Sequence, residues 1–212
     1  MLAAAAFVPS APLLLDALGG GPDDLRSACL QAISVLDGAG RVVVVGDADQ
    51  AGWLTGSIDA TPYGAPGPPA ERPLPLAHAV GATLLGNRAC RHVGVDVPDL
   101  DEPVAFLVVG DGSARRTEKA PGHLDRRAED FDRGIEKALG TADLEALLDL
   151  DAVLAGELLV GGAGAWRAAA TAARQQVRPD GTAPRGWDGR LHYAAAPYGV
   201  GYFVASWIPR PP

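Results

Sequence analysis

Apolar residues alternate between strand-like runs and helix-like spacing in the first part of the chain. Residues 2–8 and 41–45 are almost continuously apolar, which is typical of strands buried on both faces. Between them, residues 23–36 carry apolar side chains at helical spacing, and Gly38 and Gly40 end that pattern. A strand, a helix and a second strand in this order predict a βαβ opening with parallel strands.

The rest of the chain adds a third buried strand at 104–109, a helical region and two closing strands. Thr141 and Asp151 are predicted to cap two short helices, because their side-chain oxygens can accept hydrogen bonds from a first helical turn. The other predicted elements are helices over 76–88, 126–139 and 164–175, a loop over 178–189, and strands over 190–193 and 201–207.

Together these elements predict a single α/β domain over residues 1–212. We expect a mixed, mainly parallel central sheet with helices on both faces. Residues 56–75 contain six prolines and three glycines. Because proline removes a backbone donor and fixes φ, this composition predicts a long loop at about 56–75.

The composition of the chain argues against two classes of partner, nucleic acids and membranes. The net charge is −8, the pI is about 4.9, and Lys119 and Lys137 are the only lysines. Dispersed arginines do not form the basic cluster that nucleic acid requires. The apolar start soon meets Pro9, and no apolar run approaches the ~18 residues of a membrane span. We therefore expect an acidic cytoplasmic protein without a nucleic-acid or membrane partner.

Short polar segments follow three of the predicted strands: 9–12, 46–49 and 110–116. In open α/β sheets, ligands bind outside the carboxyl ends of the strands. If the three strands are parallel neighbours, the three segments meet at one edge of the sheet. This edge is the predicted position of a functional site.

Three segments of the sequence resemble one known family. Residues 110–122 read Gly-Asp-Gly-Ser-Ala-Arg-Arg-Thr-Glu-Lys-Ala-Pro-Gly and are followed by Phe-Asp at 131–132. Residues 8–14 read Val-Pro-Ser-Ala-Pro-Leu-Leu, and 196–205 form a glycine- and tyrosine-containing ending. In this order they resemble the β-subunit of class III extradiol ring-cleavage dioxygenases and its Memo-like relatives.

The resemblance implies the α/β fold of that β-subunit and a non-haem Fe(II) site of two histidines and a carboxylate, with a further histidine as acid and base. Such a site leaves coordination positions open for a catechol and O₂. In this sequence the histidine positions hold Ser10, Ala48 and Ala114, and Glu157 retains the carboxylate. Because a methyl group neither binds iron nor transfers a proton, we expect no cofactor; Fe(II) is expected only if other ligands preserve the family activity.

None of the four histidines has the His-x-His or His-x-x-His spacing that is typical of metal ligands. His123 lies nearest to Ala114 in sequence, so His123 and Glu157 are the candidates for catalysis. His78, His92 and His192 are expected to be structural, as are Cys29 and Cys90, which form neither a metal knuckle nor a disulfide framework. No metal site is predicted.

The polar loop after the third strand has two interpretations. Its arginines could form an anion pocket, or they could pair with carboxylates that fix the shape of the loop. The aromatic residues near the C-terminus could line a pocket or belong to the core or an interface. The candidate ligand-binding residues are Ser10, Asp47, Ser113, Arg115, Arg116, Glu157 and Tyr198.

We therefore expect a divergent, non-catalytic extradiol dioxygenase-like protein that binds a small acidic or aromatic ligand, or a protein partner, in the ancestral cleft. One alternative is an active non-haem iron dioxygenase with unrecognised ligands. A second is a metal-free enzyme that uses His123, Asp47 or Glu157 as its base. A third is an oligomeric scaffold subunit, since the related dioxygenases form oligomers.

Overall fold

The structure is a computed structural model that describes residues 1–48, 52–97, 102–175 and 186–211. Seven strands of the described residues form one sheet. The strands are β1 Leu2–Val8, β2 Val42–Gly46, β3 Trp53–Leu54, β4 Cys90–Val93, β5 Val104–Val109, β6 Trp187–Ala195 and β7 Tyr202–Pro209. The helices are α1 Asp23–Ile33, α2 Leu76–Leu85, α3 Ala128–Thr141, α4 Leu144–Leu148, α5 Ala152–Glu157 and α6 Ala163–Arg174.

The sheet is mixed, with the order β3-β4-β2-β5-β1-β7-β6. The four central strands, β4, β2, β5 and β1, are parallel. The flanking pairs are antiparallel: β3 with β4, β7 with β1, and β6 with β7. The predicted α/β fold and mixed sheet are therefore confirmed. Parallel pairing is confined to the centre and does not predominate, because β6 and β7 form a terminal hairpin, which can pair only antiparallel.

Helices cover both faces of the sheet. Alternate residues of a strand point to opposite faces, so Ala4, Ala6 and Val8 of β1 join a core with α1 and α2. Ala5 and Phe7 join a second core with α3, α4 and α6. No helix within the described ranges combines the length and the apolar composition that crossing a membrane requires.

Several predicted boundaries need correction. The cap of α4 is Asp143, whose carboxylate accepts the Ala146 N–H, whereas Thr141 lies in the last turn of α3 and donates to the Lys137 carbonyl. Asp151 caps α5 as predicted. The predicted loop over 178–189 is too long at its end, since β6 begins at Trp187; its residues 178–185 lie outside the described residues. Strand β4 was not predicted at all.

The proline- and glycine-rich segment at about 56–75 folds around one carboxylate. Asp59 accepts hydrogen bonds from the N–H and hydroxyl of Thr61 and from the N–H of Ala70. The Thr61 bonds, followed by the Ala70 bond, lower the pKa of Asp59. Backbone bonds between Ser57 and the segment 72–74 close the base of the loop. The predicted loop is present and is fixed by these bonds.

Candidate functional site

The three polar segments meet as the sequence predicted. Strand β5 lies between β2 and β1, and all three run parallel. Their carboxyl ends therefore share one edge, where Ser10, Asp47 and Asp111 follow β1, β2 and β5. Asp47 is exposed, whereas Ser10 and Asp111 are partly buried. The edge thus provides one enclosed pair of polar residues and one solvent-facing carboxylate.

Asp111 binds Ser10 through both oxygens of its carboxyl group. Oδ1 accepts the backbone N–H of Ser10 at 2.8 Å, and Oδ2 accepts its hydroxyl at 2.8 Å. Burial nevertheless raises the pKa of Asp111 to about 6, against the opposing effect of the two Ser10 bonds. A carboxyl group with this pKa can hold or release a proton close to neutral pH.

One tyrosine lies close enough to feel the charge of this carboxyl group, and a second tyrosine lies beside the first. Tyr202, at the start of β7, is buried, and its pKa is raised to about 12 by burial first and by the charge of Asp111 second. The Tyr198 ring lies 6.4 Å from the Tyr202 ring, between centroids, and is 54% exposed. The site therefore combines a protonatable carboxyl group, a buried phenol and an exposed aromatic face.

The loop after β5 is bonded to the segment before β7. Gly112 N–H donates to the Gly201 carbonyl at 2.7 Å, and Gly201 N–H donates to the Ser113 carbonyl at 2.9 Å. A Cβ on Gly201 would collide with the Asp132 carboxylate, and a Cβ on Gly112 would collide with the Phe203 ring. This close approach explains why glycine occupies both positions, and it fixes the Tyr198 segment relative to Asp111.

Arg116 and Ser113 are held by Asp132 of α3, which is 1% exposed. Its Oδ1 accepts the Ser113 N–H at 2.8 Å, and its Oδ2 accepts Arg116 Nη1 at 3.0 Å. The Ser113 hydroxyl donates to the Leu158 carbonyl. Of the two interpretations of this loop, the geometry of Arg116 matches the one in which arginine–carboxylate pairing fixes the loop.

Arg115 is close enough to a second carboxylate, Asp125, for its charge to act on it. Hydrogen bonds from Arg127 lower the pKa of Asp125 to about 2, and the charge of Arg115 contributes to this shift. The Asp125 N–H also donates to the Arg115 carbonyl. Within the described residues, the buried Nε of Arg115 has no hydrogen-bond partner. Both arginines of the loop therefore have a carboxylate nearby.

The two candidates for catalysis lie on the surface. Glu157 is exposed and pairs with Arg127 at 2.8 Å. His123 is exposed, has a φ of 58°, and places its Nδ1 3.4 Å from the Glu118 carbonyl. The Ala114 N–H donates to the Leu158 carbonyl, and the Gly122 N–H donates to the Ala114 carbonyl. The loop thus brings Ala114 near the chain positions next to Glu157 and His123, but it encloses neither side chain.

The residues present do not fit the iron site that the resemblance implies. The Ser10 hydroxyl is bonded to Asp111, and Ala48 and Ala114 carry methyl groups. Among the described residues, no group of three or more His, Cys, Asp or Glu side chains is arranged to hold a metal ion as it stands. Fe(II) selection requires imidazole nitrogens at fixed geometry, and none lies at these three positions.

Sequence reasoning missed Asp111 and Tyr202 as site residues. Asp111 reads as a turn former within Gly-Asp-Gly, and Tyr202 is one of the C-terminal aromatic residues that could line a pocket or belong to the core or an interface. A carboxylate directly after a buried strand was the available signal for Asp111. Comparison with models of known protein families gives no match, and comparison with curated proteins gives none either.

Proposed function

We propose that this protein binds a small hydroxylated aromatic ligand at the edge formed by β1, β5 and β7, and that it does so as a divergent, non-catalytic relative of the extradiol dioxygenases. The observation that carries the proposal is the Ser10–Asp111 pair beside Tyr202 and the exposed Tyr198 ring. The three segments that resemble the extradiol family give additional support.

The side chains suit an aromatic ligand better than an acidic one. The exposed ring of Tyr198 offers a face for offset or edge-on stacking. Asp111 can accept a hydrogen bond from a ligand hydroxyl when ionised and donate one when protonated. An acidic ligand would need free guanidinium groups, and the guanidinium of Arg116 is already bonded to Asp132.

Ring cleavage is not part of the proposal. The chemistry of that family needs imidazole ligands and an imidazole acid and base, and this chain has Ser10, Ala48 and Ala114 at those positions. Asp111 would be the base of a metal-free reaction in the same site, because its pKa is raised to about 6. Binding remains the simplest chemistry that these residues provide.

The test is calorimetric titration of the full chain with phenol, catechol, cyclohexanol and benzoate. We expect the two phenols to bind at least about tenfold more tightly than cyclohexanol or benzoate, which corresponds to about 1.4 kcal/mol. Tyr198→Ala and Asp111→Asn should each weaken phenol binding by a similar factor. Tyr63→Ala and Asp96→Asn are matched controls, since Tyr63 is 41% exposed and Asp96 is also exposed.

Equal affinity for benzoate and phenol would contradict the aromatic assignment, as would phenol binding that is unchanged by Tyr198→Ala. Oxygen consumption with catechol after addition of Fe(II) would replace the proposal with the alternative of an active dioxygenase.

A protein partner is the second candidate. Leu124, Val153 and Leu159 are 44%, 73% and 46% exposed. Val153 belongs to α5, and Leu159 lies two residues after its end. Exposed apolar side chains that group on a surface are common in interfaces. Light scattering across a range of protein concentrations would show whether the chain associates with itself, and Val153→Glu should then abolish that association.

A further inference from the structure

A second cluster of chemically active side chains lies between α2 and β4, separate from the Ser10–Asp111 pair. His78 belongs to α2, and Cys90 and His92 belong to β4. Because residues two apart in a strand share a face, Cys90 and His92 point to the same side. Cys90 Sγ lies 3.7 Å from His92 Nε2, and the His78 and His92 rings are 5.5 Å apart with a T-shaped arrangement.

The imidazoles of this cluster lack the hydrogen bonds that burial normally requires. The His78 side chain has no exposed surface, and neither of its ring nitrogens has a hydrogen-bond partner among the described residues. A contact with the Gly46 backbone does not reach hydrogen-bond geometry. The Nδ1 of His92 is also buried without a partner. Each such group costs roughly 1–3 kcal/mol, so a bound species that satisfies these nitrogens would be stabilising.

We propose that Cys90, His92 and His78 form a binding site for Zn(II). Zinc bonds of about 2.0–2.1 Å to nitrogen and about 2.3 Å to sulfur give a tetrahedral N···S separation of roughly 3.5 Å. The observed 3.7 Å between Cys90 Sγ and His92 Nε2 is close to this separation. Two imidazoles on one tetrahedral ion place their ring centroids roughly 5 Å apart, compared with 5.5 Å for His78 and His92.

Zinc binding by all three side chains would require His78 to reorient. The three side chains do not form a ready-made metal-binding group in the structure, so the nitrogen of His78 must turn toward the Cys90–His92 pair. A half-turn of the imidazole about χ2 exchanges nitrogen and carbon positions with almost no change in shape. No hydrogen bond to a described residue holds His78 in its present orientation. Three protein ligands would leave a fourth position open to water or to a small ligand.

An activated cysteine nucleophile does not explain the cluster. Burial raises the pKa of Cys90 and lowers the pKa of His92. These shifts favour a neutral thiol beside a neutral imidazole, whereas a reactive cysteine needs the thiolate. A bound zinc ion would stabilise the thiolate of Cys90. That thiolate forms when the thiol loses one proton to solvent.

The experiment uses Co(II) as a spectroscopic probe of the metal-stripped full chain, followed by displacement with Zn(II). We expect one equivalent of Co(II), a thiolate-to-cobalt charge-transfer band in the near ultraviolet, tetrahedral d–d bands, and loss of the colour when zinc is added. Calorimetry in buffers of different ionisation enthalpy should show release of about one proton, from Cys90.

Cys90→Ala and His92→Ala should each abolish the charge-transfer band or lower zinc affinity by about 100-fold or more. His78→Leu should lower the affinity while the thiolate band persists. Cys29→Ala is the matched thiol control, since Cys29 is buried in α1, and His123→Ala is the histidine control. Circular dichroism verifies that each variant is folded.

Absence of a thiolate band in the folded wild-type chain would overturn the assignment. Binding that survives Cys90→Ala and His92→Ala, or is lost in Cys29→Ala, would overturn it as well. Asp111→Asn should leave zinc affinity unchanged, so this site can fail independently of the proposed aromatic site.

Discussion

Asp111 is a partly buried carboxyl group that accepts hydrogen bonds from the N–H and the hydroxyl of Ser10. Its pKa is raised from 3.8 to about 6. Between these two values the folded state binds more protons than the unfolded state, so stability falls as pH rises from about 4 to 6. At neutral pH the ionised group is therefore destabilising, which is common where a residue serves function at the expense of stability.

We predict that Asp111→Asn raises the free energy of unfolding by about 1–2 kcal/mol at pH 7, because a neutral amide replaces a partly buried charge. The gain should vanish near pH 4, where the aspartic acid is itself neutral. Urea denaturation at the two pH values measures both quantities. A loss of stability at pH 7 would show that the Ser10 bonds outweigh burial. Asp96→Asn, at an exposed carboxylate, should change neither value.

At the scale of elements, α3 fixes the loop after β5 through one side chain. Asp132 is almost fully buried, and it binds the Ser113 N–H and the Arg116 guanidinium. Burial raises the pKa of Asp132, and the Ser113 and Arg116 bonds oppose that shift. Removing Asp132 would leave the buried Ser113 N–H without its acceptor, whereas Arg116, which is 22% exposed, would keep Glu129 at 4.0 Å.

We predict that Asp132→Ala destabilises the fold by about 1–3 kcal/mol and also weakens phenol binding, since the loop holds the Tyr198 segment. Gly201→Ala should act in the same direction by displacing the Asp132 carboxylate. Asp130→Ala is the control, because Asp130 lies in the same helix and pairs with Arg133 at the surface. Chemical denaturation gives the stabilities. Equal stability of the Asp130 and Asp132 variants would contradict this role.

Elements with a strong apolar signal could be predicted from the sequence, and those whose signal depends on their neighbours could not. Strands β1, β2 and β5 are central, so both of their faces are buried and they read as unbroken apolar runs. Strand β4 has four residues, including Arg91 and His92, and one of its neighbours is the two-residue β3. Its pairing with β2 creates the strand, and local propensity does not reveal that pairing.

At the scale of the whole molecule, the sequence predicted the edge of the sheet that carries the candidate site, but not which side chains face each other there. Ser10 and Asp111 are 101 residues apart, and Arg116 is bonded to a carboxylate 16 residues away. Such partners depend on the order of the strands and on the packing of α3. For the same reason, the sequence left open whether the arginines of the loop after β5 bind an anion or pair with carboxylates of the same chain.

At the scale of the whole molecule, the acid response includes two buried groups with large and opposite effects, His78 and Asp111. Burial, followed by the charge of His92, lowers the pKa of His78 from 6.5 to about 4. Between these values the unfolded state binds more protons, so the contribution of His78 is fully present above pH 6.5 and is lost as pH falls toward 4, by about 3 kcal/mol. Asp111 has the opposite slope between about pH 4 and 6, and the two contributions partly cancel.

We predict that the metal-free protein, kept in chelator, has a shallow dependence of stability on pH between 4 and 6. Asp111→Asn should leave the His78 slope exposed, so that stability rises steeply over this range. His78→Leu should reverse the sign, so that stability falls from pH 4 to 6. His123→Ala should follow the wild type, because that ring is exposed. Parallel curves for His78→Leu and wild type would mean that His78 is protonated equally in the folded and unfolded states. The His78 imidazole would then not be buried without a partner.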